Sequence, residues 1–123
     1  MATITGSIDR NLSEVGNAAL VTWTPMTFAG LDVGAPVQWV EYADRCVQVS
    51  GTFGAAGSVT LEGSNDGVTY ATLADPQGNA LTITAAKLEQ VLELPRYVRP
   101  RVTAGDGTTS LTVTICMRRV TRT

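Results

Sequence analysis

Histidine is absent from this 123-residue chain, which excludes the commonest catalytic arrangements. Ser–His and Cys–His nucleophiles need an imidazole base, and the usual zinc sites need imidazole ligands. Turn oxygens at Asn65, Asp66 and Asp75 lack the dense acidic spacing of an EF-hand calcium loop. The only cysteines are Cys46 and Cys116. We expect both to be free thiols, although a disulfide across a sheet is geometrically possible. We therefore expect no enzyme activity, no metal and no cofactor.

Charge and long apolar runs are also scarce. Charged residues make up 16% of the chain, and the net charge is −2. That charge is too small to indicate nucleic acid or an acidic membrane as a partner. No apolar run approaches the roughly 20 residues of a membrane-spanning helix, and the N-terminus lacks a signal-peptide pattern. We expect a soluble protein that binds neither nucleic acid nor membrane.

What the sequence does contain is apolar alternation with a period of two, which is typical of half-buried strands. It occurs in residues 47–52, in residues 58–64 and, over the greatest length, in residues 110–119. Asn65-Asp66-Gly67 tolerates the positive φ angles of a tight turn. We interpret residues 47–70 as a meander of antiparallel strands.

The remaining segments complete an all-β prediction. Further strands are predicted at residues 19–23, 37–42, 68–73, 81–84, 91–94 and 97–103. One helical turn is compatible with residues 85–90, and Pro100 indicates an edge strand or a bulge. The pattern predicts an antiparallel β-sandwich, jelly-roll-like, with about eight strands. Residues 1–17 show little periodicity and are interpreted as an extended N-terminal arm, either disordered or paired with a neighbour. Residues 18–123 form the single sandwich domain.

Two groups of side chains are candidates for a contact surface. Arg99 and Arg101 share one face of a predicted strand, and a short loop leads to the strand carrying Arg118, so we predict a basic stripe. The stripe is either a solvated face or a contact with an acidic protein surface, and nucleic acid is the weakest alternative. The second group lies in the N-terminal third and belongs either to the core or to a subunit contact: Trp23, Met26, Phe28 and Trp39.

Several short motifs follow one another over roughly residues 21–119. They are Trp23-Thr24-Pro25-Met26, GTFG followed by LEGSNDG within residues 51–67, and Pro95-Arg96-Tyr97-Val98-Arg99-Pro100. Gly105-Asp106-Gly107 and the closing Arg118-Arg119 complete the ordered set. With these motifs in this order, the sequence resembles the small head decoration (capsid cement) proteins of tailed bacteriophages.

The resemblance implies a structural virion protein, made in the host cytoplasm, that binds the outer surface of the capsid. It would stabilise the expanded shell by bridging capsid subunits. The implied partners are the major capsid protein and further copies of the chain, with a trimer favoured over a dimer. An alternative is a carbohydrate-binding β-sandwich module that mediates adhesion to a host surface, with Trp23 or Trp39 as its aromatic platform. The residues expected to contact capsid or subunit are Trp23, Met26, Phe28, Trp39, Arg99, Arg101 and Arg118.

Overall fold

The computed structural model describes residues 2–10, 17–38 and 42–119. These ranges contain strands, turns and irregular segments but no helix, which confirms the predicted all-β class, and none of them could cross a membrane as a helix. The strands are β1 (Thr3–Ile4), β2 (Ser7–Asp9), β3 (Ala18–Thr27), β4 (Val33–Gly34), β5 (Asp44–Thr52), β6 (Ser58–Ser64), β7 (Ala71–Thr72), β8 (Thr82–Ile83), β9 (Lys87–Gln90), β10 (Tyr97–Ala104) and β11 (Ser110–Arg118).

The strands form two sheets. Sheet A has the order β1-β4-β10-β6-β7, and β8 also pairs with β6; sheet B has the order β2-β3-β11-β5-β9. All pairings are antiparallel except β1 with β4. From β3 to β6 each successive strand changes sheet, and β9, β10 and β11 do so again. With β7 and β8 counted as one strand, β3 to β11 follow the eight-stranded order of a jelly roll, and β1 and β2 each add one strand at a sheet edge, so the predicted architecture is confirmed.

The core lies between the sheets and contains the alternate apolar side chains of both. Trp23 occupies it with no exposed surface, and its indole Nε1 donates to the Ala35 carbonyl oxygen at 3.0 Å. A buried Trp N–H needs such an acceptor, so this bond orients the ring. The other large, fully buried side chains include Met26, Leu61, Ile83, Leu111, Ile115 and Met117.

The described part of the predicted arm forms strands of the same sandwich as the rest of the chain. β1 pairs with β4 in sheet A, and β2 pairs with β3 in sheet B. Between them the chain crosses the edge of the core at Gly6, where a Cβ atom would lie 2.7 Å from Val21 and 3.1 Å from the Trp23 Nε1. Glycine is therefore required for this close approach. Residues 11–16 of the predicted arm lie outside the described residues.

The predicted meander over residues 47–70 is wrong, although its first two strands are present as β5 and β6. β5 belongs to sheet B and β6 to sheet A, so the glycine-rich residues 54–57 connect the two sheets instead of closing a hairpin. β6 does form a hairpin with β7 across the Asn65–Gly67 turn. Alternation identifies a strand and its buried face, but it does not identify the strand's partner.

Several other boundaries also differ from the predictions. Residues 85–90 contain strand β9, not a helical turn, because pairing with β5 overrides a weak helix propensity. Residues 91–94 are irregular, and β3 continues past Pro25 to Thr27. The predicted strand at residues 37–42 is reduced in the described residues to a bridge between Val37 and Val98, and residues 39–41 lie outside them.

Pro100 lies in a strand interior, between β4 and β6, and not at an edge or a bulge as predicted. The Val102 N–H donates to the Asp32 carbonyl oxygen, so by alternation the Pro100 nitrogen faces the same side. Among the described residues, β10 is paired on that side only at Arg101, with the two-residue β4, and at Val98, through the bridge to Val37. The missing N–H therefore removes no ladder bond.

Candidate functional site on the outer face of sheet A

Two neighbouring strands place opposite charges together on the outer face of sheet A. In the β10–β6 register Arg99 lies opposite Glu62, and Arg101 lies opposite Thr60. Val98, Pro100 and Val102, which alternate with the two arginines along β10, are buried, so the arginines point away from the core. The alternation that fills the core thus also presents a charged group outside it.

The two arginines share one carboxylate. The Arg99 Nε donates to the Glu62 Oε1 at 3.0 Å, and the Arg101 Nε donates to the Glu62 Oε2 at 3.1 Å. The Glu62 side chain is only 7% exposed, whereas those of Arg99 and Arg101 are 26% and 46% exposed. One carboxylate against two guanidinium groups leaves a net charge of +1 on the cluster.

The guanidinium groups keep unused donors. Each arginine contacts Glu62 through Nε, and the described residues show no hydrogen bond from the terminal Nη atoms of Arg99 or Arg101. A guanidinium carries five N–H donors in a planar fork that matches a carboxylate. The cluster can therefore bind an acidic group from outside while Glu62 holds both arginines in place.

An aromatic ring contacts the cluster, and one pair of hydroxyl groups lies on the same face of the sheet. The Arg99 guanidinium carbon lies 3.6 Å from the centroid of the Tyr70 ring, which favours the cation and limits its movement. Next to it, the Thr60 and Thr82 hydroxyl oxygens are 3.3 Å apart. No buried side-chain nitrogen or oxygen among the described residues lacks a hydrogen-bond partner. We define Arg99, Arg101, Glu62 and Tyr70 as the arginine cluster.

The structure does not bring the predicted N-terminal contact residues together on one surface. Trp23 and Met26 are fully buried, so the expectation that they contact capsid or subunit is wrong, and the core alternative describes them. Phe28 is half-buried and packs against the core. Trp39 lies outside the described residues.

The predicted basic stripe is also wrong. Arg118 belongs to β11 in sheet B, on the opposite side of the sandwich from Arg99 and Arg101 in sheet A. The short loop at residues 105–109 changes sheet, which a jelly-roll connection does and a hairpin does not. Only Arg99 and Arg101 remain together, and Glu62 is the partner that sequence reasoning missed.

A second missed arrangement lies on the outer face of sheet B. Cys46 and Cys116, seventy residues apart in sequence, lie directly opposite each other on β5 and β11. Both are partly exposed and free. Burial raises the pKa of the Cys46 thiol, and the neighbouring Cys116 raises it further. Both cysteines lie at the outward parity of their strands, which was visible in the sequence, but only the register brings them together.

Aspartates in the turns bind the backbone. The Val68 and Thr69 N–H groups and the Ser64 hydroxyl donate to Asp66 and lower its pKa to about 2. Asp75 accepts in the same way from the Asn79 N–H, which lowers its pKa. Nowhere in the described ranges do three His, Cys, Asp or Glu side chains gather as a possible metal site.

Comparisons with known proteins support the fold. The crystal structure of the SPBc2 prophage-derived protein YomS matches this chain with a TM-score of 0.57 at 10% sequence identity, covering 81% of this chain and 93% of YomS. A match to KdgF from Halomonas sp. covers 84% of this chain and 68% of KdgF, at 16% identity and a TM-score of only 0.35, which establishes no shared fold. No protein-family model and no curated protein matches the sequence.

Proposed function

We propose that this chain is a structural virion protein that binds the outer surface of a tailed-phage capsid and stabilises the expanded shell by bridging capsid subunits. The resemblance to head decoration proteins and the prophage origin of YomS support a phage setting. The function needs no chemical reaction, cofactor or metal. It needs only a rigid domain with a surface that recognises the assembled lattice, together with contacts between copies of the chain.

The observation that carries the proposal is the arginine cluster. Glu62 pairs with two partly exposed guanidinium groups on the outer face of sheet A, and the described residues show no hydrogen bond from their Nη atoms. Preorganised donors lose little side-chain entropy on binding, so an acidic surface on the capsid gains contacts at low cost. Because the cluster carries a net +1 charge, this attachment weakens as salt rises.

Stabilisation follows from mass action. A protein that binds only the expanded lattice stabilises it by RT ln(1 + [L]/Kd), about 2.7 kcal/mol per site at a hundredfold excess over Kd. Repeated over many sites on a shell, contacts of modest affinity sum to a large resistance against internal pressure. Each contact can therefore be small, polar and wet.

The carbohydrate-binding alternative loses one of its two platforms. Trp23 is buried in the core with its indole N–H bonded to Ala35, so its ring cannot stack on a sugar. The described half-exposed aromatics include Tyr70, which already lies against Arg99. We therefore favour the capsid proposal.

The test is to mix the purified protein with compact and with expanded undecorated phage shells and to measure occupancy by sedimentation. We expect saturable binding to expanded shells, little binding to compact ones, and a higher melting temperature of the decorated shell. Absence of binding to expanded shells, together with retention on a polysaccharide column, would support the sugar-binding alternative instead.

A further inference from the structure

We propose that the free edge of β9 pairs with β9 of a second copy of this chain, antiparallel and about a twofold axis at Leu88. This inference concerns self-association alone and does not depend on capsid binding. It gives a dimer, whereas the family resemblance led us to favour a trimer.

The first argument is the open backbone of β9, which is the last strand of sheet B. The Val91 N–H donates to the Arg45 carbonyl oxygen at 3.0 Å, so the odd-numbered residues of this segment direct their backbone groups towards β5. By alternation, Leu88 and Gln90 direct their N–H and C=O groups away from the sheet. An edge with unpaired backbone groups is a template for another strand.

The second argument is the exposed side chain at the middle of this edge. Leu88 is 63% exposed on the outer face of sheet B, opposite Gln48 of β5. In an antiparallel pair centred on Leu88, the two leucines lie opposite each other and cover part of their apolar surface. The pairing also brings Ala86 opposite Gln90 of the second copy.

The third argument is charge. The same register places Lys87 of each copy opposite Glu89 of the other, so both flanking pairs are attractive. Within one copy the Lys87 Nζ already lies 3.5 Å from the Glu89 Oε1, which shows that the two side chains share one face. The dimer therefore forms a group of four alternating charges around its axis.

Other registers are less favourable. Pairing Leu88 with Gln90 of the second copy places Glu89 opposite Glu89, which is repulsive. Centring the pair on Gln90 needs the backbone N–H of Leu92, which already donates to the Ala74 carbonyl oxygen at 2.8 Å. The register centred on Leu88 alone combines free backbone groups with opposite charges.

The test is sedimentation equilibrium from micromolar to submillimolar concentration, with charge exchange at Lys87 and Glu89. We expect the wild type to associate towards twice its 12.9 kDa monomer mass. Lys87→Glu or Glu89→Lys alone brings like charges together and should weaken the dimer about tenfold. The double variant restores opposite charges and should recover dimerisation. Leu88→Glu should abolish it.

The matched control is Val68→Glu, which changes another exposed apolar residue, 82% exposed in the β6–β7 loop, and should leave the dimer unchanged. A second readout is amide hydrogen exchange, which should slow at Leu88 and Gln90 as concentration rises. A wild type that stays monomeric throughout would overturn the proposal. So would a dimer whose affinity neither single charge variant changes.

Discussion

The outer faces of the two sheets differ in their chemistry. On sheet A, Glu62 lies between Arg99 and Arg101, and the face is charged at its centre. On sheet B, β3 and β11 present threonines, with the Thr24 and Thr112 hydroxyl oxygens 2.8 Å apart. In the proposed function the charged face of sheet A recognises an acidic partner, whereas the face of sheet B is neutral where its central strands meet.

The largest effect on stability should appear when the two arginines of sheet A are replaced and Glu62 is kept. Replacing both Arg99 and Arg101 with Gln leaves Glu62 buried without its cations. We expect the free energy of unfolding to fall by about 2–4 kcal/mol. This is less than for a fully buried ion pair because the arginines are partly exposed. Adding Glu62→Gln should recover most of the loss. Urea denaturation measures both changes, and a double variant as stable as the wild type would contradict the pairing.

On sheet B the largest expected change comes from oxidation of the cysteine pair. Residues directly opposite in antiparallel strands have Cα atoms about 4.5–5.5 Å apart, within the range that a disulfide spans. Oxidised glutathione should accept two electrons and two protons from Cys46 and Cys116 and form that bond. We expect a gain of about 2 kcal/mol in the free energy of unfolding.

The mass of the intact protein should fall by two hydrogen atoms. A non-reducing gel should show no disulfide-linked dimer. Cys46→Ser is the control and should remove both the mass change and the gain in stability. Intermolecular disulfides as the main product would contradict the opposed register.

A smaller effect is expected for the threonines of sheet B. Replacing Thr24 and Thr112 with Val removes an exposed hydroxyl pair and keeps the β-branched shape that suits a strand. We expect the free energy of unfolding to change by less than about 1 kcal/mol. Thermal denaturation measures this, and a loss as large as that of the double arginine variant would remove the contrast between the faces.

The smallest effect is expected on stability at low pH, and it should not depend on the outer face of either sheet. Asp66 and Asp106 have their pKa lowered from 3.8 to about 2, the first chiefly by the Val68 N–H and the second chiefly by the Thr108 hydroxyl. A lowered carboxyl pKa contributes stability that is complete above about pH 4 and is lost as pH falls towards 2. Asp66→Asn should flatten this part of the pH–stability curve. An unchanged acid limb would contradict the assignment.

Local patterns predicted the strands because alternation is a property of neighbouring residues. In β11 the inward residues Leu111, Val113, Ile115 and Met117 are all buried, as the period of two requires. Arg99 and Arg101 were correctly placed on one outward face for the same reason. Alternation alone does not show whether Trp23 is buried, because its burial depends on which strands surround it.

Pairing between distant strands could not be predicted in this way. Glu62 carries an outward parity on β6, yet only the register of β6 with β10 brings it to Arg99 and Arg101. Arg118 was assigned to the same stripe because a short loop usually joins neighbours in one sheet. In a jelly roll such a loop crosses between sheets, and the stripe is divided.

The most direct test of the central claim compares one arginine from each face. Arg101→Gln removes a half-exposed cation from sheet A and leaves Arg99 to pair with Glu62, so the fold is retained; Arg118→Gln is the matched change on sheet B. Affinity for expanded shells, measured across a salt series, should fall about tenfold with a shallower salt dependence for Arg101→Gln, and stay at the wild-type value for Arg118→Gln. Equal effects of the two variants, or an unchanged affinity and salt dependence for Arg101→Gln, would contradict the assignment of the capsid contact to the arginine cluster.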